Sequence, residues 1–240
     1  MAENSNLLFR KFTKINSNSK IEIKIPSVDE ILDFGEEEYY DICQLLTAMP
    51  IDCMVQLDDA GIDFTKINEY ELFIMLFRSI REKDTSLIFR TLDLSSFVID
   101  RSVENGDFIL RDTETGIIID RLVHAQIANT IRTIHNWKPN LKKPADDGTK
   151  KYLIDRARKK MKRKKQYQSQ LEPLIVALVN TEQCKYNFEG IKELSIYQFN
   201  ECVRQIIKKI DYDNRMYGVY AGTINAKELS QDDLNWLTNK

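Results

Sequence analysis

The chain has 240 residues, 42% of them apolar and 30% charged, with 8 Gly, 5 Pro and a net charge of −2. That composition excludes collagen-like, low-complexity and wholly disordered classes, and a chain this long can bury a core without disulfides or metals. The charge is uneven: residues 150–165 carry ten Lys or Arg and one acid, +9 in all, which leaves −11 for the remainder. Such polarity bears on partners and solubility rather than on fold.

The polar, acidic start lacks the basic and apolar regions of a secretory signal. The longest apolar runs, 72–77 and 174–179, have six residues each, against about 20 for a membrane span. The expectation is a soluble, cytoplasmic protein with no membrane partner. Cys43, Cys53, Cys184 and Cys202 have no C-x-x-C spacing and read as buried thiols.

In chain order, residues 7–15 and 20–25 read as a hairpin around Asn16-Ser17-Asn18-Ser19, with Ile21, Ile23 and Ile25 alternating with polar residues. Ser27-Val28-Asp29-Glu30 is a capping box, opening a short helix to Phe34 that Gly35 breaks. Residues 36–48 form an amphipathic helix with Glu36, Glu37 and Glu38 at its dipole-favoured start. Pro50 ends it, residues 51–60 form the next, and Gly61 is its left-handed cap. Residues 69–80 make a largely buried helix, and 85–91 a short fourth one. The period then changes. Residues 97–104 and 107–112 flank Asn105-Gly106, the signature of a type I′ hairpin. A second turn at Thr113–Gly116 leads to 117–120, giving a three-stranded antiparallel meander.

Helical spacing resumes from Val123 to Trp137. Residues 138–148, with two prolines and a glycine, read as a linker. Thr149 starts the basic helix, 169–180 form an apolar helix with Pro173 in its first turn, and Ser195-Ile196-Tyr197-Gln198 caps 196–210. Residues 212–221 continue as helix, and 230–236 form a last short one. The fold class is therefore α+β, mainly α-helical, with an N-terminal β-hairpin and an inserted small antiparallel β-meander. The division is 1–137, a linker at 138–148, and a helical region at 149–240, with one integrated domain as the alternative.

No stretch carries a strong catalytic motif. Glu22-Ile23-Lys24 matches half of a metal-dependent nuclease site, but residues 1–21 supply no aspartate. Strand alternation explains the triplet. His124 and His135 sit about 16 Å apart along one helix and cannot share a metal; each is expected to be solvated or hydrogen-bonded. Asp58, Asp59, Gly61 and Asp63 lack the ligand order of a calcium loop and read as a helix end. No catalytic residue, metal or cofactor is expected, and the chain reads as a non-enzyme.

The basic helix is the one charged feature with a functional reading. Arg156, Lys159, Lys160, Arg163 and Lys164, among its other cations, surround a narrow stripe of Leu153, Ile154, Ala157 and Met161. It neutralises acids of its own chain or a partner copy, binds nucleic-acid phosphates, or lies on a membrane surface. Tyr212, Tyr217, Tyr220 and Trp236 suit a contact surface or serve as ordinary core.

Two sets of patches carry a resemblance. One is Phe34-Gly35-Glu36-Glu37-Glu38-Tyr39-Tyr40, then Thr47-Ala48-Met49-Pro50 and residues 73–77. The other is Leu194-Ser195-Ile196-Tyr197-Gln198-Phe199, then Gly218-Val219-Tyr220-Ala221-Gly222-Thr223-Ile224, then Leu234-Asn235-Trp236-Leu237. Together they resemble tail-morphogenesis proteins of bacteriophages and prophages of Gram-positive hosts, in particular tail assembly chaperones. The resemblance implies no active site and a tape measure or tail tube protein as partner, in the host cytoplasm. A structural component of the tail or neck, retained in the virion, is the alternative reading. A nucleic-acid-binding phage protein using residues 150–165 is a further one, and homo-oligomerisation stays open.

Overall fold

A computed structural model of the chain describes residues 7–103, 106–162, 166–231 and 233–237. The architecture is α+β and mainly helical, with a two-stranded hairpin and a three-stranded meander. β1 (Phe12–Ile15) and β2 (Asn18–Lys24) pair antiparallel, Thr13 opposite Ile23 and Lys14 opposite Glu22. The turn is tighter than expected, at Asn16-Ser17, because Ile15 pairs with Asn18. Ile15, Ile21, Ile23 and Ile25 are buried while Lys20, Glu22 and Lys24 are not, the inward/outward alternation of a half-covered strand.

Residues 85–91 form no helix. They run as a strap along the free edge of β2: Lys24 N–H donates to Ile88 O at 2.8 Å, Arg90 N–H donates to Glu22 O at 3.0 Å, and Ile23 bridges Phe89. Seven residues are too few to hold a helix by propensity. The edge hydrogen bonds and burial of Leu87, Ile88 and Phe89 decide the conformation instead.

Ser27 and Glu30 cap α1 (Val28–Phe34) reciprocally, Ser27 N–H to Glu30 Oε2 at 2.8 Å and Glu30 N–H to Ser27 Oγ at 3.1 Å. Gly35, at φ 105°, separates it from α2 (Glu36–Leu46); any side chain there would be strained. A 3-10 turn, Pro50–Cys53, precedes α3 (Met54–Asp59), and Gly61 follows at φ 72°. The Asn68 side chain caps α4 (Glu69–Arg81), which buries Tyr70, Leu72, Phe73, Phe77 and Ile80.

β3 (Phe97–Arg101), β4 (Phe108–Asp112) and β5 (Ile118–Ile119) form the expected meander. Asn105 of the expected Asn-Gly turn lies outside the described residues. α5 (Arg121–His135) ends at left-handed Asn136 and buries Val123, Ile127, Ala128, Ile131 and Ile134.

α6 (Asp147–Met161) begins two residues earlier than expected, because Asp146 Oδ1 accepts from Thr149 N–H at 2.6 Å and a carboxylate is the stronger N-cap. α7 (Leu171–Val179) is followed by α8 (Phe188–Lys192), a five-residue helix capped by Asn187 that the hydrophobic period does not signal. α9 (Ile196–Tyr220) is a single 25-residue helix. Among the described residues of the expected last helix, 230–236, none is helical: Ser230 and Asp233 close a turn on each other, and Ala226–Glu228 nearby is 3-10.

One core cluster draws on residues from Leu7 to Phe199. Two segments far apart in sequence are stitched at its margin. Val28 N–H donates to Leu194 O at 2.9 Å and Ile196 N–H to Pro26 O at 2.8 Å. A smaller cluster holds Ile51, Leu57, Phe64, Leu72 and Ile154.

Candidate partner-binding surfaces

α6 is half absorbed by its own chain. Ile154 is buried in the smaller cluster. On either side of it Arg158 Nη2 meets Asp58 Oδ2 at 2.8 Å and Asp59 Oδ1 at 2.5 Å, and Lys150 Nζ meets Asp63 Oδ2 at 3.2 Å. The Thr65 hydroxyl and amide and the Lys150 ammonium hold the Asp63 carboxyl down to about 2. The acids that superficially suggest a calcium loop are thus occupied by cations of α6. Among the described residues no His/Cys/Asp/Glu group could hold a metal ion.

The opposite side of α6 is different. Arg156, Lys159 and Lys160 there are exposed, as are Lys151 and Lys162 at its edges, and none makes an ion pair among the described residues. Tyr152, 63% exposed, lies on the same side. Arg163 and Lys164 lie outside the described residues.

The four aromatic candidates divide into two pairs. Tyr212 and Trp236 converge on Lys209, whose ammonium lies 5.9 Å and 5.5 Å from their ring centres, and Gln205 Nε2 donates to Trp236 O at 2.8 Å. Tyr217 and Tyr220, at the end of α9, are 74% and 85% exposed. None of the four is core. In α9 only Ile196 and Phe199 are buried, although a 25-residue helix runs about 37 Å.

Leu174 and Val176 of α7 and Tyr186 and Phe188 just beyond it are also 40% exposed or more. This apolar surface carries no periodic signal distinct from an ordinary core helix, so the sequence does not mark it.

The buried polar groups hold the frame. Both histidines are core residues rather than solvated ones. His135 shares a 3.0 Å hydrogen bond with the Tyr39 hydroxyl and stacks on Trp137, while His124 stacks on Phe73 at 4.1 Å. Burial pushes His135 down to about 3 and His124 to about 4. The Cys43 thiol, 3.8 Å from His135, is pushed up to about 12 by burial. The pair is therefore neutral, with neither a thiolate nor a basic imidazole at neutral pH.

Arg132 donates to Thr47 O at 2.7 Å and Glu69 Oε1 at 2.5 Å. Glu36 caps α7 from another helix: it accepts from the Ser169 hydroxyl at 2.5 Å, Gln170 N–H at 2.6 Å and Leu171 N–H at 3.0 Å. Burial alone would raise its carboxyl; these bonds outweigh that and hold it below its ordinary value. Glu22, of the half nuclease motif, is spent on Lys14 and Arg90 at 3.5 and 3.1 Å.

Residues 162–240 match a family model described as YomV second domain. That family is phage-derived. The match begins just after α6 and takes in α7, α8, α9 and the tail that folds along α9. It therefore contains Tyr212, Tyr217, Tyr220, Trp236 and the exposed apolar positions of α7, whereas Arg156, Lys159 and Lys160 precede it. No curated protein and no solved structure matches the chain. No helix among the described residues is long and apolar enough to cross a membrane.

Proposed function

We propose that this chain is a non-enzymatic phage tail assembly factor of the host cytoplasm, binding the tape measure or tail tube protein through its C-terminal region. The observation that carries the reading is the apolar and aromatic surface of α7 to α9, which falls within the segment similar to a phage-derived family. A long, partly apolar client needs an apolar surface with a polar rim. Leu174, Val176 and Phe188, next in sequence to the exposed Glu172 and Glu189, offer such anchors, and Tyr217 and Tyr220 offer a second, separate pair at the end of α9.

The test is co-expression with the tape measure and tail tube proteins of the same phage. The expected result is a soluble complex with one of them, lost when Tyr217 and Tyr220 are both replaced by Ala. Failure to solubilise or co-purify either protein would overturn the reading. Stoichiometric presence of the chain in purified particles would instead favour a structural component of the tail or neck.

A further inference from the structure

We propose that the outward face of α6 binds the phosphate backbone of nucleic acid without sequence preference, a property independent of the tail assembly reading. At 100° per residue, Ile154 points into the body, and Tyr152, Arg156, Lys159 and Lys160 fall on the opposite side. Lys151 and Lys162 flank them, and all are exposed. The row from Lys151 to Lys162 runs about 16 Å, and a DNA duplex presents one negative charge per roughly 1.7 Å of axis, so several phosphates lie within its reach. The one acid between them, Asp155, lies 3.8 Å from Arg158, toward the docked side.

Two other occupants fit the face less well. Interface cores between proteins are depleted in Lys, and this face has no apolar anchor beyond Tyr152. A helix lying on a membrane needs a free apolar side opposite its cations. The apolar side of α6 is closed over most of its length: Ile154 is packed against Ile51, Leu57 and Phe64, with Arg158 and Lys150 locked to Asp58, Asp59 and Asp63, and only Met161 of the stripe, in the last turn, is exposed. What remains is an array of long, unpaired cations around one ring, suited to phosphates with a base stacked on Tyr152.

The test uses the full chain and a labelled 20-nucleotide single strand or the matching duplex, followed by fluorescence anisotropy between 50 and 200 mM salt. Binding at 50 mM is expected, with log affinity falling linearly against log salt. R156Q/K159Q/K160Q removes three cations and should flatten the duplex slope by about 2.7, at roughly 0.9 per phosphate contact. K150Q/R158Q, on the docked side, should leave the slope unchanged while circular dichroism reports on folding. Y152A should cost about tenfold on the single strand and leave the duplex unchanged, because an unpaired base is needed to stack on the ring. No binding at 50 mM would overturn the proposal. So would an unchanged slope in the triple variant, or equal competition by poly-glutamate or anionic vesicles at matched charge.

Discussion

Replacing Glu36 by Ala should detach the start of α7 from α2. The carboxylate accepts three hydrogen bonds there, from Ser169 Oγ and the Gln170 and Leu171 amides. Bonds to a charged group contribute roughly 1.5–3 kcal/mol each, but a cap removed from a helix that stays packed costs only about 0.5–2 kcal/mol. Leu171, Ile175 and Leu178 remain buried, and water reaches part of the freed terminus, so about 2 kcal/mol, the upper end of the capping range, is expected. Glu36→Gln keeps one acceptor oxygen and should cost about half that. With a urea m-value of about 2–3 kcal/mol/M for a chain of this size, the midpoint should fall by about 1 M for Ala. The pH dependence carries the sign. The folded carboxyl is held below its ordinary 4.5, so its stabilisation is full above that value and is lost as pH falls through the lowered folded pKa. The gap between the wild type and Glu36→Ala should therefore be widest at pH 7 and narrow below about pH 4.5. A Glu36→Ala midpoint within 0.2 M of wild type, or a gap constant from pH 7 to pH 3, would refute the reasoning.

Three further outcomes are expected. Arg132→Leu strands Glu69 and Thr47 O and should cost about 3–5 kcal/mol in denaturant unfolding, as breaking a buried pair does. Ile154→Ala should cost about 2–4 kcal/mol, whereas Arg158→Ala, which breaks half-exposed pairs, should cost less than about 1 kcal/mol; hydrogen exchange across α6 reads both. His124 and His135 are held neutral by burial but gain a proton when unfolded below about pH 6.5. Stability should therefore fall with acid from that point, by up to about 1.4 kcal/mol per pH unit for each histidine. A folded His124→Phe variant should show half the wild-type slope between pH 6 and pH 5.

Elements with local signals were legible in the sequence. The alternation of Ile21, Ile23 and Ile25 and the capping boxes at Ser27 and Ser195 specify their conformations within a few residues, and the structure follows them. What was not legible depends on distant partners. The strap at 85–91 looks helical until the open edge of β2 claims its backbone. Glu36 reads as one of three dipole-favoured acids, and nothing local distinguishes the one that reaches α7. The charge of α6 was visible, but its division into a docked and a free side was not. That division depends on Asp58, Asp59 and Asp63, nearly a hundred positions away. Exposed Tyr217 and Tyr220 could not be told from core aromatics, because helical spacing alone does not say which stripe finds a neighbour.

The backbone stitch between Pro26–Val28 and Leu194–Ile196 sets when this protein can fold during synthesis. While a nascent chain lacks residues 194–199, the Pro26 carbonyl and Val28 amide have no partner, and the pocket filled by Ile196 and Phe199, both 0% exposed, stands open. The hairpin and the helices behind it must therefore leave the ribosome incomplete and wait for residues 194–199, translated long after them. A premature stop anywhere before that point would release a fragment with its core uncovered, not a smaller working protein.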